Sequence, residues 1–154
     1  MHGCICFIVQ RFVENSFGKD DWKQILTLAG EPGLSFSPIQ HYPDETVMKV
    51  VGACCEHLKI EPDVALFEVG KFAAPELIRF AKNMLHPNWK TFQILFHLET
   101  LIHRTIRIGD PEARPADIQC YQIPDTEMQV VYSSRRGLCD LARGILTGMG
   151  SVFG

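Results

Sequence analysis

The chain has 154 residues, of which 46% are hydrophobic, and this length and composition predict one domain with a hydrophobic core. The formal net charge is −3, and from Leu101 onward six Arg are balanced by six Asp or Glu, so neither a nucleic-acid groove nor a membrane-binding basic patch is predicted. The apolar N-terminus lacks the charged start and cleavage site of a signal peptide, and no apolar run is long enough to span a bilayer.

The first two thirds of the chain carries helical patterns. Apolar residues recur at helical spacing until Gly18, Asp44 is predicted to be a helix N-cap, and Pro75 is predicted to open a new helix. Pro and Gly residues between 31 and 43 predict a loop. The predicted helices cover residues 4–17, Asp20 or Asp21 to Gly30, 45–58, 62–72, 76–85 and 89–107.

The remaining residues predict a small sheet followed by a helix. Residues 118–123 and 128–134 read as strands joined across Pro124-Asp125, which predicts an antiparallel pair. Apolar positions at helical spacing then predict a last helix over residues 138–153. Helices, then a sheet, then a helix are typical of an α+β fold.

The six cysteines are not spaced as a disulfide framework or a zinc site. Cys54 and Cys55 are adjacent, Cys120 and Cys139 are isolated, and no Cys-x-x-Cys pair occurs. The sequence therefore predicts reduced cysteines that lie mostly in the core of a cytoplasmic protein.

Residues 132–136, Tyr-Ser-Ser-Arg-Arg, are the segment that most suggests a binding site. Side chains alternate along a strand, so Tyr132, Ser134 and Arg136 share one face, and Ser133 and Arg135 share the other. A phenol, a hydroxyl and a guanidinium suit a flat ligand that carries carboxylates, because Arg binds a carboxylate through two hydrogen bonds. The same pattern also occurs at polar strand ends near solvent, so both interpretations stay open at this point.

Two of the six histidines, His97 and His103, lie in the longest apolar helix. On an ideal α-helix they stand about 120° apart, so they cannot ligate one metal from the same side. His103 shares its flank with Phe92 and Phe96, which suits a flat ring, although a lone histidine on an apolar helix is more often a satisfied core or border residue. His41, in the proline-rich loop, is expected to be solvated. Residues 132–136 are called the strand motif below. An imidazole on a helix followed by the strand motif would supply the two halves of a haem site, an iron ligand and partners for the propionates.

Several short motifs occur in order along the chain. They are Phe17-Gly18, Trp22, Tyr42-Pro43-Asp44-Glu45, Val50-Val51-Gly52-Ala53, His103, Pro115 and Tyr132 to Arg136. With these motifs the chain resembles the H-NOX domain, the haem-nitric oxide/oxygen binding fold of soluble guanylate cyclase and of bacterial stand-alone gas sensors. The resemblance covers essentially the whole chain and implies a single haem-binding domain over residues 1–154.

The resemblance implies a cofactor and the residues that hold it. Haem b would be ligated by His103, its propionates would be bound by Tyr132, Ser134 and Arg136, and Pro115 would press on the porphyrin. The implied architecture is an N-terminal helical subdomain, followed by a small antiparallel sheet and a C-terminal helix that together enclose the haem.

The gas is indicated by a departure from part of the family. Oxygen-binding members carry a Tyr on the final helix where this chain has Leu141, and the implied distal wall is formed by Ile5, Val9, Leu141 and Ile145. Bound O₂ needs a hydrogen-bond donor, whereas NO and CO need one much less. We therefore expect binding of NO and CO without stable binding of O₂.

The implied function is gas sensing and not catalysis. NO at ferrous haem would weaken or break the iron bond to His103, and the resulting shift would pass to a partner such as a histidine kinase or a diguanylate cyclase or phosphodiesterase. Neither a nucleic acid nor a membrane is expected as a partner. One alternative is a module for haem or another tetrapyrrole with a redox role for Cys139. A peroxidase-like enzyme is the other, disfavoured because no distal base is expected near Leu141.

Members of the family usually continue after the last helix with a further pair of strands. Here Gly154 follows that helix directly, so we expect the two-stranded sheet to have an open edge, which a missing tail or a partner would cover. Cys139 resembles a position where some bacterial relatives bind zinc through further ligands in that tail. No metal other than iron is expected in this chain.

Overall fold

The computed structural model describes residues 1–124 and 127–153. The α-helices in this part are α1 (Gly3–Ser16), α2 (Lys19–Leu28), α3 (Asp44–Leu58), α4 (Pro62–Ala81), α5 (Thr91–His97), α6 (Arg104–Gly109) and α7 (Cys139–Phe153). A 3₁₀ turn (Lys82–Met84) follows α4, and a π-helical segment (Leu98–His103) joins α5 to α6. The strands are β1 (Asp117–Ile123) and β2 (Glu127–Ser133), so the predicted α+β fold class is confirmed. None of the helices in the described part is long and apolar enough to cross a membrane.

The two strands form the predicted antiparallel pair, in which Ile118 lies opposite Tyr132 and Cys120 lies opposite Val130. One face of the pair, which includes Cys120 and Val130, packs against apolar residues of α4, α5 and α7. Burial alternates along both strands as one covered face requires. Of the predicted connection Pro124-Asp125, Asp125 lies outside the described residues.

The core consists of two apolar clusters. The larger joins α1, α2, α3 and α4 to the start of α7, and its most buried members include Cys6 and Ile25, both with 0% exposure. The smaller lies between the sheet and the later helices and contains Ile94 and Met149. Ile145 of α7 packs against both clusters, so α7 connects the helical part to the sheet.

α7 packs along α4 at a separation that only glycine allows. A Cβ atom on Gly144 would lie 2.1 Å from the carbonyl oxygen of Phe67, and one on Gly70 would lie 2.3 Å from that of Leu141. These neighbours are backbone atoms in a close-packed interior and cannot move aside as a flexible side chain could. The close approach therefore fixes where α7 presents Leu141.

α4 continues through Pro75, where the sequence predicts that one helix ends and another begins. Pro75 cannot donate the helical hydrogen bond to the carbonyl of Lys71, a change that costs about 3 kcal/mol in an isolated helix interior. Gly148 of α7 lies against this carbonyl, since a Cβ atom added there would be 2.7 Å from the Lys71 oxygen. The predicted break was wrong because packing against α7 outweighs the local preference of proline.

The longest predicted helix is one continuous run from α5 through the π-helical segment to α6. Within it, the N–H of Arg104 donates to the carbonyl of Glu99, five residues earlier. The angle of about 120° between His97 and His103 holds for an ideal α-helix and does not apply across a π-helical segment. His97 is exposed and stacks on Trp89, with ring centroids 4.3 Å apart.

Candidate functional site

His103 is the last residue of the π-helical segment and pairs with Glu99, four residues earlier. The Nδ1 atom of His103 lies 2.5 Å from Oε1 of Glu99, and the imidazole is 14% exposed. Because a carboxylate only accepts hydrogen bonds, Nδ1 is assigned as the N–H nitrogen, and in the neutral imidazole Nε2 then carries the lone pair. Within residues 1–124 and 127–153, no hydrogen bond is made to Nε2, so this nitrogen can ligate a metal.

Glu99 is held by two further groups. The amide of Ile118 donates to Oε1 at 3.0 Å, and both terminal nitrogens of Arg107 donate to Oε2 at 3.1 Å. Burial raises the pKa of Glu99, but His103, the Ile118 amide and Arg107 together lower it by more, so the pKa lies below its usual value. Sequence reasoning missed Glu99, although its spacing of four residues from His103 was the available signal.

The strand motif has the alternation that its sequence predicts. Tyr132, Ser134 and Arg136 are half-buried, whereas Ser133 and Arg135 are exposed. β2 ends at Ser133, one residue before the predicted end, and Arg135 and Arg136 lie in a turn, so the alternation of burial beyond Ser133 does not come from strand geometry. The phenol, the hydroxyl and the guanidinium are therefore all partly covered, and the backbone of Arg136 contacts the hydroxyl of Ser134.

Arg136 connects this motif to two other segments. Its Nε atom donates to Oδ2 of Asp44 at 2.8 Å, and Nη1 donates to the carbonyl of Arg114 at 2.7 Å. The backbone N–H of Arg136 donates to Oγ of Ser134 at 3.3 Å. Nη2 of Arg136 and the hydroxyls of Ser134 and Tyr132 donate to no acceptor in the described part of the chain, and all three are free to bind carboxylates.

Asp44 is the first residue of α3 and not its N-cap. Its Oδ1 atom lies 2.7 Å from the amine of Met1, which also donates to the carbonyl of Tyr42. Burial raises the pKa of Asp44, but hydrogen bonds and charge from the N-terminal amine and Arg136 lower it by more, so the pKa is below its usual value. The predicted cap was wrong because two cations bind this carboxylate more strongly than a backbone amide would.

Three of the four predicted distal residues line one cavity, which is called the distal cavity below. Ile5, Val9 and Leu141 face a narrow space of about 40 Å³ between α1, α3, α4 and α7, whereas Ile145 is not part of the lining. The lining side chains are aliphatic, aromatic or sulfur-containing, and none carries a hydroxyl, an amide or a charge. The cavity therefore offers a bound gas no strong hydrogen-bond donor.

The structure places the predicted site residues in three groups, which are the cavity residues, Pro115 with the strand motif, and His103 with Glu99. Pro115 lies half-buried between α6 and β1, next to the Arg114 carbonyl that Arg136 binds. Neither His103, Pro115 nor the strand motif lines the distal cavity. Met1 connects the distal cavity to the strand motif, because its side chain lines the cavity while its amine is bound to Asp44, the partner of Arg136.

These groups fit the chemistry of a haem. An imidazole with a free Nε2 suits ferrous iron, and three free donors within one five-residue segment suit two propionates. An apolar cavity suits a small uncharged gas. Of the residues predicted for the site, neither Pro115 nor Ile145 has a contact in the structure that bears directly on these three roles.

A second cluster of titratable groups lies at the start of α1. Nδ1 of His41 is 2.8 Å from Oδ2 of Asp110, and Nε2 of His2 is 3.9 Å from the same oxygen. Nδ1 of His2 accepts from the amide of Cys4 and caps α1. Burial, then the charge of His41, and to a smaller extent the N-terminal amine, lower the pKa of His2, while Asp110 raises it. The expectation that His41 is solvated was wrong, because its partner Asp110 follows α6, far away in sequence.

The six cysteines are free thiols. Burial raises the pKa of Cys4 to about 11 and those of Cys6 and Cys54 to about 12. Protonated, buried thiols are poor nucleophiles and poor metal ligands. Cys139, which is exposed at the start of α7, therefore remains the main candidate for a cysteine with a redox role.

Comparisons with known proteins agree on one family. A family model described as Haem-NO-binding matches residues 2–154. Among solved structures, a triple mutant of an H-NOX protein from S. oneidensis in the Fe(II) ligation state has a TM-score of 0.90 at 19% identity, covering 100% of this chain and 83% of that chain. A point mutant of T. tengcongensis H-NOX has a TM-score of 0.88 at 17% identity, covering 99% and 83%. The Fe(II) unliganded H-NOX protein from K. algicida has a TM-score of 0.84 at 18% identity, covering 99% and 83%. No match is found among curated proteins.

Proposed function

This chain belongs to the Haem-NO-binding (H-NOX) family of haem-binding gas sensors, and from that membership we propose that it senses NO and CO without holding O₂ stably. The observation that carries the choice of gas is the apolar lining of the distal cavity around Leu141. The donors in the distal pocket of a haem protein decide how well it retains O₂. No strong donor lines this cavity, so O₂ would gain little stabilisation there.

The proposed cofactor is haem b, bound without a covalent thioether link because the chain has no Cys-x-x-Cys pair. Ferrous haem would supply an iron with an open position for a diatomic gas. His103 would ligate the iron through Nε2, and Tyr132, Ser134 and Arg136 would bind the propionates. Pro115 would press on the porphyrin.

The remaining apolar residues would shape the gas side of the haem. Ile5, Val9 and Leu141 would exclude water and polar groups from it, with Ile145 supporting them from α7. Such a lining binds an uncharged gas without orienting it.

The proposed signal is the release of His103 and the movement of its helix. A gas can shift a protein between two shapes only if it binds them with different affinity. His103 is well placed for this, because Glu99 links it to the amide of Ile118 in β1. A displaced His103 would therefore disturb the sheet as well as its own helix.

We propose that the output passes to a partner protein, either a histidine kinase or a diguanylate cyclase or phosphodiesterase, and that the chain itself is not an enzyme. The cavity supports the second point, because it contains no side chain able to act as a general base toward a bound peroxide. The six free thiols support a reducing, cytoplasmic location.

The absorption spectrum of the ferrous protein tests the choice of gas. Protein purified with a haem supply should show five-coordinate ferrous haem, changed spectra with CO and with NO, and no stable complex in air. Leu141→Tyr should create a stable O₂ complex, because it adds a phenol donor to the cavity. Leu141→Phe, which has the same bulk without the hydroxyl, should not. A stable O₂ complex in the unmodified protein would overturn the proposal.

A further inference from the structure

The contact between Glu99 and His103 is the closest side-chain pair at the candidate site. Their atoms Oε1 and Nδ1 are 2.5 Å apart, and the side chains are 23% and 14% exposed. A hydrogen bond between an N–H and a charged acceptor is stronger than one between neutral groups. The pair is therefore more than a solvated contact along a helix.

The carboxylate of Glu99 is oriented by groups from two elements. Ile118 of β1 donates to the same oxygen that faces His103, and Arg107 of α6 binds the other oxygen through both terminal nitrogens. Each oxygen has its own partners, so the carboxylate cannot rotate without breaking hydrogen bonds. Nδ1 of His103 thus meets a charged acceptor whose position is fixed from outside its own helix.

The π-helical segment contributes to this arrangement. Glu99 and His103 both lie within it, and the N–H of Arg104 bonds to the carbonyl of Glu99. Single π-helical turns are rare and occur frequently at functional sites. Here the turn carries both members of the pair, so the irregular backbone and the hydrogen bond belong to one local structure.

We infer that Glu99 is a positioning residue that holds the His103 ring in place and strengthens Nε2 as a ligand by accepting the Nδ1 proton. This inference rests on the proposed function, since it takes His103 to be the iron ligand. A carboxylate that accepts from a ligating histidine raises the basicity of that histidine. A more basic Nε2 favours ferric over ferrous iron, which lowers the reduction potential. It also holds His103 more firmly when NO binds, so Glu99 sets how readily the signal is released.

The test compares the haem-loaded wild type with Glu99→Gln, which keeps the size of the side chain and removes its charge. The iron–histidine stretching frequency, measured by resonance Raman spectroscopy on the ferrous protein, should fall in the variant, and the reduction potential should rise. Outer-shell partners of metal ligands commonly have effects of about 10–100-fold, and a tenfold change in ferric over ferrous preference corresponds to about 59 mV. Glu68→Gln, which removes an exposed carboxylate paired with Lys71, is the charge-matched control and should change neither value.

Each outcome decides the inference. An unchanged stretching frequency in Glu99→Gln would overturn it. If that variant does not retain haem, the wild type decides. Its frequency should match haem proteins whose proximal histidine donates to a carboxylate, and a match to those that donate to a backbone carbonyl would overturn the inference. His103→Gly separates the two proposals: if it leaves the ferrous spectrum unchanged, the ligand assignment fails, and if it alters the spectrum while Glu99→Gln has no effect, only the role of Glu99 fails.

Discussion

Arg136 is the side chain at which three segments of the chain meet. It follows β2, binds Asp44 at the start of α3 and binds the carbonyl of Arg114 before β1. Asp44 also holds the amine of Met1, whose side chain lines the distal cavity. A carboxylate ligand bound to Arg136 would therefore alter the ionic contacts through Asp44 that also hold Met1 in the wall of the cavity.

The strand motif can be tested by removing its donors. The combination of Tyr132→Phe, Ser134→Ala and Arg136→Ala should weaken haem retention, because each hydrogen bond to a charged group contributes about 1.5–3 kcal/mol. Such a loss corresponds to at least about tenfold in affinity. Transfer of haem to an excess of a haem-free acceptor protein measures the effect.

Two controls separate haem binding from folding. Ser133→Ala with Arg135→Ala alters the exposed side of the same segment and should leave haem retention unchanged. Asp44→Asn removes the structural partner of Arg136 while keeping the three donors. Full haem retention in the triple variant would refute the assignment of the motif to the propionates.

Among the elements, α4 and α7 approach each other closely, and the contact is made through glycine. Gly144→Ala should lower the free energy of unfolding by about 1–3 kcal/mol, because its Cβ atom would collide with the backbone of Phe67. Gly150→Ala is the matched control in the same helix. No atom lies within 4 Å of its added Cβ, so it should stabilise by about 0.5–1 kcal/mol. Urea unfolding at equal haem content compares the two variants, and equal destabilisation would contradict the packing account.

The stability of the folded chain should depend on pH through His2, which lies where the start of α1 meets the end of α6. Its pKa is lowered in the folded chain by burial first and then by His41, with the amine of Met1 adding to this and Asp110 opposing it. A lowered folded pKa means that the unfolded chain binds the proton more readily. The stabilisation from His2 is therefore complete above its unfolded pKa of about 6.5 and is lost as pH falls through the lower folded value.

Urea unfolding at pH 7.5 and at pH 5.5 measures this dependence. His2→Gln should reduce the loss of stability between the two values, because the variant has no imidazole to protonate but keeps an oxygen that can cap α1. His86→Gln, a change at an exposed histidine, should leave the dependence as it is in the wild type. If the His2 variant loses as much stability between the two pH values as the wild type does, other groups cause the pH dependence.

Most elements could be predicted from the sequence because their signals are local. The sequence predicted strands over residues 118–123 and 128–134, each within one residue of the observed bounds, and helical spacing with a glycine boundary predicted α1. The differences arise where a distant segment competes with a local signal. Pro75 does not break α4 because α7 packs along it, and Asp44 does not cap α3 because Met1 and Arg136 bind its carboxylate.

The site was less accessible to prediction than the fold. Strand geometry alone predicts an alternation over residues 132–136, but β2 ends at Ser133 and Arg135 and Arg136 lie in a turn, so strand geometry accounts for the alternation only up to Ser133. The pairing of Glu99 with His103 depends on a π-helical turn and on donors from β1 and α6, which no pattern along one helix contains. The partner of His41 lies at Asp110, beyond the reach of any local pattern.

For the whole molecule, the structure provides two physical connections between the regions that the proposed sensor must couple. Ile145 of α7 packs against both core clusters. The ionic contacts from Met1 through Asp44 to Arg136 join the distal cavity to the strand motif. A gas signal in this protein would pass through such shared contacts, provided that the two shapes of the protein differ in their affinity for the gas.

The ferrous absorption spectrum of His103→Gly, recorded with and without imidazole, tests the central claim most directly. We expect the five-coordinate spectrum of the wild type to be absent in this variant and to return when imidazole is added, because the truncated side chain leaves space for it. His97→Gly, at an exposed histidine six residues earlier in the same helical run, should keep the wild-type spectrum. A wild-type spectrum in His103→Gly without imidazole would contradict the assignment of His103 as the haem ligand.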